Sequence, residues 1–263
     1  MANQGGTTIR IALTQLKSPV ILAQSRGVSN SDDWPEVENP LIPWDNFNLE
    51  NLNEAYGLVL DHGDNTGALN QCFTVSEVFN DLPDKDKNIT QMIIRNDGMM
   101  RPTLHYARQL LQIDIGNQLY HQTRDPNNPR PRVPGNNPIP VDHIIAVDSS
   151  PRRTLIVGLR KPCAAWKSSD LVGKEDKPSK KCTSPMRQLA NICKQANTRY
   201  GYIMTEEEMV VFHFTAITDG KYAVAYKPIS WSQYGATMLT TDLALWWLCM
   251  MAMSDVNNCH GLT

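Results

Sequence analysis

The feature that most restricts the fold of this 263-residue chain is a proline-rich segment between two kinds of hydrophobic periodicity. Residues 125–140 contain six prolines, with asparagines and a glycine between them, and such a composition excludes a regular helix. Apolar residues recur at helical spacing before this segment and mostly at strand spacing after it. The sequence therefore predicts an α/β protein with a long surface loop over residues 125–140.

The part of the chain before the loop is predicted to be largely helical. A stripe of apolar residues from Leu49 to Val59 indicates an amphipathic helix that Asp45 or Asn48 can cap. Further helices are predicted over residues 68–79 and 103–121.

The first 40 residues are polar, and we interpret them as an N-terminal arm. They contain a Gly-Gly pair, a Ser-Asn-Ser run and prolines that include Pro35 and Pro40, and only Ile9–Leu13 indicates a short strand. We interpret residues 41–263 as a single domain that carries the proline-rich loop.

After the loop the pattern alternates between strands and helices. Strands are predicted at Asp142–Val147, Thr154–Leu159, Tyr202–Met204, Met209–Phe214 and Tyr222–Lys227. A helix over Ser184–Asn197, with Ser184 as cap and Pro185 in its first turn, divides the first two strands from the others. A final helix is predicted over Thr240–Met253. The order indicates a mixed central sheet flanked by helices.

Charge is distributed unevenly along the chain. The net charge is −2, yet residues 151–200 hold twelve Lys or Arg and three acidic residues, so they carry +9. Such a segment predicts a basic face that binds a polyanion, DNA or RNA. The candidate nucleic-acid-binding residues are Arg160, Lys167, Lys174, Lys177, Lys180, Lys181 and Arg187. A solvated lysine-rich loop is the alternative.

Several classes of protein are not favoured by the sequence. Six cysteines occur without a CxxC pair, so neither a zinc finger nor a disulfide framework is indicated. The longest apolar run, Leu243–Met253, is shorter than the ~20 residues of a membrane-spanning helix. The N-terminus does not resemble a secretory signal. We expect an intracellular protein of the nucleus or cytoplasm, without a membrane partner.

One constellation suggests chemistry on phosphodiesters. Metal-dependent nucleases need carboxylates on neighbouring strands to hold one or two ions, and a nearby lysine stabilises the transition state. Asp142 opens one predicted strand, and Leu159-Arg160-Lys161 ends the next. A hairpin would bring Asp142 and Lys161 together, although Leu159 occupies the position where a second acid is expected.

The chain resembles the PD-(D/E)XK nuclease-like domains of filamentous fungi. The matching segments are Pro43-Trp44-Asp45-Asn46-Phe47 with Ala55-Tyr56, Leu155-Ile156-Val157-Gly158-Leu159-Arg160-Lys161 with Trp166, Gln188-Leu189 leading into Asn197-Thr198-Arg199-Tyr200-Gly201-Tyr202-Ile203, and Leu243-Ala244-Leu245-Trp246-Trp247-Leu248. These segments span residues 43–253. The resemblance implies a restriction-endonuclease-like mixed central sheet flanked by helices.

The resemblance also implies roles for particular residues. Asp142 corresponds to the metal-binding aspartate, Lys161 to the active-site lysine and Gln188 to a polar neighbour on the following helix. Mg²⁺ or Mn²⁺ is the expected cofactor if the protein is active, and otherwise none is expected. Because Leu159 offers no ligand, Glu54 is the favoured replacement acid and Asp148 a weaker one.

Three functions remain open from the sequence. We favour a degenerate nuclease-like domain that binds nucleic acid without cutting it. An active Mg²⁺-dependent endonuclease and a protein-interaction module of a fungal effector or conflict system are the alternatives. The alternatives to a functional role are that Asp142 caps a turn and that Lys161 is an exposed lysine at the end of a strand.

Overall fold

The computed structural model of the protein describes residues 6–22, 31–124, 130–133 and 138–254. Much of the predicted proline-rich loop, at 125–129 and 134–137, lies outside these residues, as does part of the predicted arm. In the described part of the chain, helices pack on both faces of one central sheet. The predicted mixed α/β class is therefore confirmed.

Several of the helices begin at a residue whose side chain caps the N-terminus. They are α1 (Ile9–Leu13), α2 (Leu49–Leu60), α3 (Asn70–Asn80), α4 (Ile89–Leu111), α5 (Lys180–Ala196) and α6 (Thr241–Ser254). Asn48 caps α2, Asn88 caps α4 and Ser179 caps α5, each accepting a hydrogen bond from a first-turn N–H group.

The strands form one large sheet and one small ladder. They are β1 (Glu36–Val37), β2 (Ile42–Pro43), β3 (Leu119–Thr123), β4 (Arg132–Val133), β5 (Ile139–Pro140), β6 (His143–Val147), β7 (Arg153–Arg160), β8 (Tyr200–Met204), β9 (Glu208–Thr218) and β10 (Lys221–Ser230). The eight-stranded sheet has the order β1-β10-β9-β8-β7-β6-β3, with β2 also on β10. The small ladder joins β4 and β5.

The unit that places the predicted site is the hairpin β6–β7 followed by α5 and β8. Strands β6 and β7 are antiparallel, with His143 opposite Gly158, which confirms the predicted hairpin. Strand β7 then runs parallel to β8, so α5 forms the crossover connection that parallel neighbours require. The helix packs against both strands that it connects.

Two hydrophobic layers cover the sheet. Residues of β6 alternate between the two layers, as strand geometry requires. In β7 the alternation is interrupted at Leu155 and Ile156, which both lie in the layer with α6, next to a shift in the β6–β7 register. The layer that includes α6 contains Trp246 and Trp247. The layer on the other face contains Leu159 together with Met186 of α5.

A buried ionic cluster joins the first part of the chain to α6. Asp242 Oδ2 accepts a hydrogen bond from Arg95 Nη1 at 2.7 Å and lies 3.2 Å from the Lys17 ammonium nitrogen. The side chains of all three residues are at most 1% exposed. Lys17 also donates to Thr241 and lies over the ring of Trp231. Because an unpaired buried charge is costly, the three residues depend on one another.

One predicted element near the N-terminus differs from the structure. Ile9–Leu13 is a helix, so the predicted strand was wrong, and Ile9, Ala12 and Leu13 are fully buried. Their spacing of three and four is helical, but the segment is too short for periodicity to decide. The described residues of the predicted arm thus contribute to the core.

Other corrections concern element boundaries. The helix predicted over 103–121 was wrong beyond Leu111, because Gln112 ends α4 in a left-handed conformation and β3 follows. Helix α5 begins at Lys180, so Ser184 is not its cap and Pro185 lies inside it. The β4–β5 ladder lies within the predicted irregular loop.

Candidate functional site

The hairpin brings Asp142 and Lys161 to the same end of the sheet. Asp142 directly precedes β6, and its N–H donates to the Gly158 carbonyl of β7 at 3.2 Å. Lys161 directly follows β7, and its N–H donates to the Met204 carbonyl of β8 at 2.9 Å. Leu159 is buried in the core, so it offers no polar group between them.

Asp142 lies within a group of three guanidinium groups. Its Oδ1 is 3.1 Å from Arg130 Nη2, 3.3 Å from Arg124 Nη1 and 3.7 Å from Arg160 Nε. Its Oδ2 accepts the backbone N–H of Arg160 at 3.1 Å. The Asp142 side chain is only 2% exposed, whereas those of Arg124 and Arg130 are 37% and 36% exposed. The carboxylate therefore orients arginines that reach solvent.

Lys161 contacts Gln188, the residue that the resemblance gives as a polar neighbour. Lys161 Nζ donates to Gln188 Oε1 of α5 at 2.7 Å. Burial lowers the pKa of Lys161, the charge of Asp142 raises it in part, and Arg130 lowers it further. The structure thus places Asp142, Lys161 and Gln188 in one region.

We call Asp142, Arg124, Arg130, Arg160 and Lys161 the cationic cluster. It contains four cations and one carboxylate, and so carries a net charge of +3. Guanidinium groups present several donors in a fixed plane that matches phosphate oxygens. A half-exposed group of this charge attracts anions and repels a divalent cation.

The two predicted replacement acids do not contact Asp142. Glu54 is exposed on α2, and none of the contacts of Asp142 involves it. Asp148 pairs with Arg152 at 3.1 Å, beyond the opposite end of β6.

The predicted nucleic-acid-binding residues fall into two groups. Lys167, Lys174, Lys177, Lys180 and Lys181 are exposed, and within the described residues none of them forms a salt bridge. Arg187 differs, because it donates to the carbonyls of Pro35 at 3.0 Å and Trp34 at 2.7 Å. Arg187 thus anchors the segment that leads into β1.

The segment after β7 is positioned by two glutamates at the β8–β9 turn. Glu206, 5% exposed, accepts from the Cys163 N–H at 2.7 Å. Glu208 accepts from the N–H of Ser168 at 2.7 Å and from its hydroxyl at 2.6 Å. No local sequence pattern reveals the partners of these two acids.

A second polar cluster, formed by Asp97, His121, His143, Thr123 and Tyr202, is buried beside β6. Asp97 Oδ1 of α4 lies 2.5 Å from His121 Nδ1 and 2.7 Å from His143 Nε2. Thr123 donates to Asp97 Oδ2, and the Tyr202 hydroxyl lies 2.5 Å from His143 Nδ1. We call these five residues the histidine cluster.

The ring of Tyr202 fills the space next to Gly158. A Cβ on residue 158 would lie 2.6 Å from Tyr202 Cε1 and 2.5 Å from its hydroxyl oxygen. A glycine is required there, since real Cβ atoms do not approach so closely. The glycine thus lets Tyr202 reach His143.

Burial and hydrogen bonds shift the pKa values of Asp97, His121 and Tyr202 in the histidine cluster. Burial alone would raise the pKa of Asp97, but His143 and hydrogen bonds from both rings hold it below its ordinary value. Burial lowers the pKa of His121 and raises that of Tyr202. Asp97 is therefore ionised at neutral pH while Tyr202 keeps its proton.

The histidine cluster can also hold a metal ion. One ligand atom from each of Asp97, His121 and His143 lies within 4.8 Å of the others, and all three residues are buried. The sequence reasoning missed this group, because its members lie on α4, β3 and β6, far apart in the chain.

Comparison of the chain with protein-family models, curated proteins and solved structures found no match. None of the helices in the described part of the chain combines the length and apolar composition needed to cross a membrane.

Proposed function

We propose that the protein binds the phosphate backbone of a nucleic acid through the cationic cluster and does not cleave it. The observation that carries this proposal is the surroundings of Asp142. Three guanidinium groups and the Lys161 ammonium outnumber its single carboxylate, and two of the arginines are more than one third exposed. Such groups bind phosphate oxygens with charge-assisted hydrogen bonds.

A degenerate restriction-endonuclease-like domain is the framework that we propose for this site. The antiparallel hairpin β6–β7, crossover helix α5 and parallel strand β8 support it, because they bring Asp142, Lys161 and Gln188 together. The exposed lysines of residues 167–181 offer further phosphate contacts. The five cysteines within the described residues are buried or half-buried free thiols, which supports a reducing compartment, the nucleus or cytoplasm.

The surroundings of Asp142 fit Mg²⁺ or Mn²⁺ poorly. The carboxylate already accepts from a backbone N–H and from guanidinium groups, and Leu159 adds no ligand. A hard divalent cation needs several oxygen ligands and is repelled by nearby positive charge. We therefore propose binding rather than metal-dependent cleavage as the function of this site.

The test measures binding by fluorescence anisotropy, with labelled single-stranded DNA, duplex DNA and RNA at several salt concentrations. We expect affinity to fall steeply with salt, because bound phosphates release counterions. Replacing Arg130→Gln or Lys161→Gln should weaken binding about tenfold at low salt and reduce the salt slope by about one each. Lys221→Gln is the matched control, since Lys221 pairs with Glu38 three strands away from β7.

Three outcomes would contradict the proposal. The first is that neither variant changes the affinity for any of the three nucleic acids. The second is cleavage of plasmid or RNA with Mg²⁺ or Mn²⁺ that Asp142→Asn abolishes, which would instead indicate an active nuclease. The third is that the wild type binds none of the three nucleic acids, which would favour a protein-interaction module.

A further inference from the structure

We propose that Asp97, His121 and His143 form a transition-metal site that takes Zn²⁺. This inference does not rest on nucleic-acid binding, since the cationic cluster and the histidine cluster share no residue. It rests on the type of ligand, on the convergence of the three residues and on the groups that hold them.

The ligand set selects the class of ion. Two imidazoles and one carboxylate suit Zn²⁺ and related divalent transition ions, whereas Mg²⁺ and Ca²⁺ prefer oxygen ligands alone. Asp97 and the two histidines come from a helix and two strands of the rigid core, and the side chains of both histidines are fully buried. The Asp97 side chain, 12% exposed, marks the side from which an ion and a completing water can approach.

The three ligand atoms lie within 4.8 Å of one another, and Asp97 Oδ1 must move away from the two ring nitrogens to admit an ion. Asp97 Oδ1 lies 2.5 Å and 2.7 Å from the two ring nitrogens, and tetrahedral Zn²⁺ with bonds of about 2.0–2.1 Å separates its ligand atoms by about 3.3 Å. Rotation of the carboxylate about its terminal torsion, which is soft in aspartate, supplies a shift of less than about 1 Å.

The surrounding groups resemble the outer shell of a metal site. When Zn²⁺ takes His143 Nε2, the ring proton moves to Nδ1, which then donates to the Tyr202 hydroxyl oxygen 2.5 Å away. Thr123 holds the second oxygen of Asp97. Such partners fix the orientation and tautomer of metal-binding side chains.

The second ring nitrogen of His121, Nε2, limits the affinity that we expect for Zn²⁺. His121 Nε2 is buried and has no hydrogen-bond partner among the described residues. When Zn²⁺ takes Nδ1, the proton moves to this nitrogen and stays unpaired. We therefore expect weaker binding than at zinc sites whose histidines are all hydrogen-bonded.

The experiment uses the full chain after dialysis against EDTA, titrated with Co²⁺ as a spectroscopic substitute and with Zn²⁺. We expect one ion per chain by elemental analysis, visible d–d bands of low-symmetry Co²⁺, and X-ray absorption that shows two imidazoles and no sulfur. His143→Gln should abolish binding, while His105→Gln, which changes an exposed histidine of α4, should leave it intact.

Tyr202→Phe keeps the proposal testable if His143→Gln does not fold. It preserves the ring of Tyr202 and removes only the hydroxyl that contacts His143 Nδ1. We therefore expect about a 10- to 100-fold loss of affinity for the metal ion. Absence of a stoichiometric ion in the wild-type chain would overturn the proposal. So would X-ray absorption with fewer than two imidazoles, or equal affinity in the wild type and Tyr202→Phe.

Discussion

The hydroxyl of Tyr202 reaches His143 Nδ1, at 2.5 Å, across a position where Gly158 leaves no side chain. The ring of Tyr202 takes up the volume that any larger residue at 158 would need. The conformation of the histidine cluster therefore depends on a residue that makes no polar side-chain contact itself.

Replacing Gly158→Ala should destabilise the protein by about 3 kcal/mol, the upper end of the usual range for overpacked cores. The added methyl group must displace Tyr202 and break its contact with His143. Urea unfolding followed by circular dichroism measures the change. Gly57→Ala is the control, because nothing lies within 4 Å of its added Cβ in α2, and it should stabilise by about 0.5–1 kcal/mol. Equal effects of the two substitutions would refute this account.

Replacing Asp142→Asn should retain or strengthen nucleic-acid binding. The substitution removes the single negative charge of the cationic cluster, and its net charge rises from +3 to +4. Anisotropy at low salt should show an affinity severalfold higher than wild type, with a steeper dependence on salt. A large loss of affinity in a folded variant would contradict this prediction and would mean that the orientation the carboxylate gives to the arginines outweighs its charge.

The exposed lysines can be tested apart from the cationic cluster. Changing Lys177, Lys180 and Lys181 together to glutamine should lower the salt slope of nucleic-acid binding by up to about three, if each contacts one phosphate. The fold should be unaffected, since these side chains are exposed. An unchanged slope would identify this segment as a solvated basic surface.

Replacing Asp242→Asn should destabilise the protein by about 3–5 kcal/mol, because Lys17 and Arg95 would remain buried without a counter-charge. Chemical denaturation measures this change. Asp219→Asn, in an exposed pair with Lys194, should have little effect by comparison. A small effect of Asp242→Asn would show that water reaches the two cations.

The stability of the buried cluster should also depend on pH through Lys17. Burial lowers the pKa of Lys17 to about 8, while it stays near 10.5 in the unfolded chain. Between these values the unfolded state binds more protons, so this contribution to stability rises with pH by up to about 1.4 kcal/mol per pH unit. The free energy of unfolding of the wild type relative to Lys17→Met should therefore increase from pH 8 to pH 10. A constant difference would contradict the lowered pKa.

Local sequence patterns were sufficient for the elements around the predicted site. The hairpin of β6 and β7 and the existence of α5 follow from alternating and helical spacing, and this placed Asp142 and Lys161 together. Short elements and the boundaries between elements were harder to predict. Ile9–Leu13 has too few residues to reveal its period, and β3 continues an apolar spacing that looks helical.

Long-range partners could not be predicted from these patterns. Arg124 precedes the proline-rich segment and Arg130 lies within it, and only the folded chain shows that both contact Asp142. The histidine cluster combines residues separated by 24 and 46 positions. No periodicity marks such a set, because each member looks like an ordinary polar residue within its own element.

The buried pairing of Lys17 and Arg95 with Asp242 has a consequence for biosynthesis. Asp242 lies in the first turn of α6, which the ribosome makes after every strand of the sheet. Until α6 emerges, a nascent chain has two cations in its future core and no carboxylate to neutralise them. The layer that contains α1 and α4 can therefore close only late in translation, and chains interrupted before residue 242 should be recognised as unfinished by chaperones and proteases.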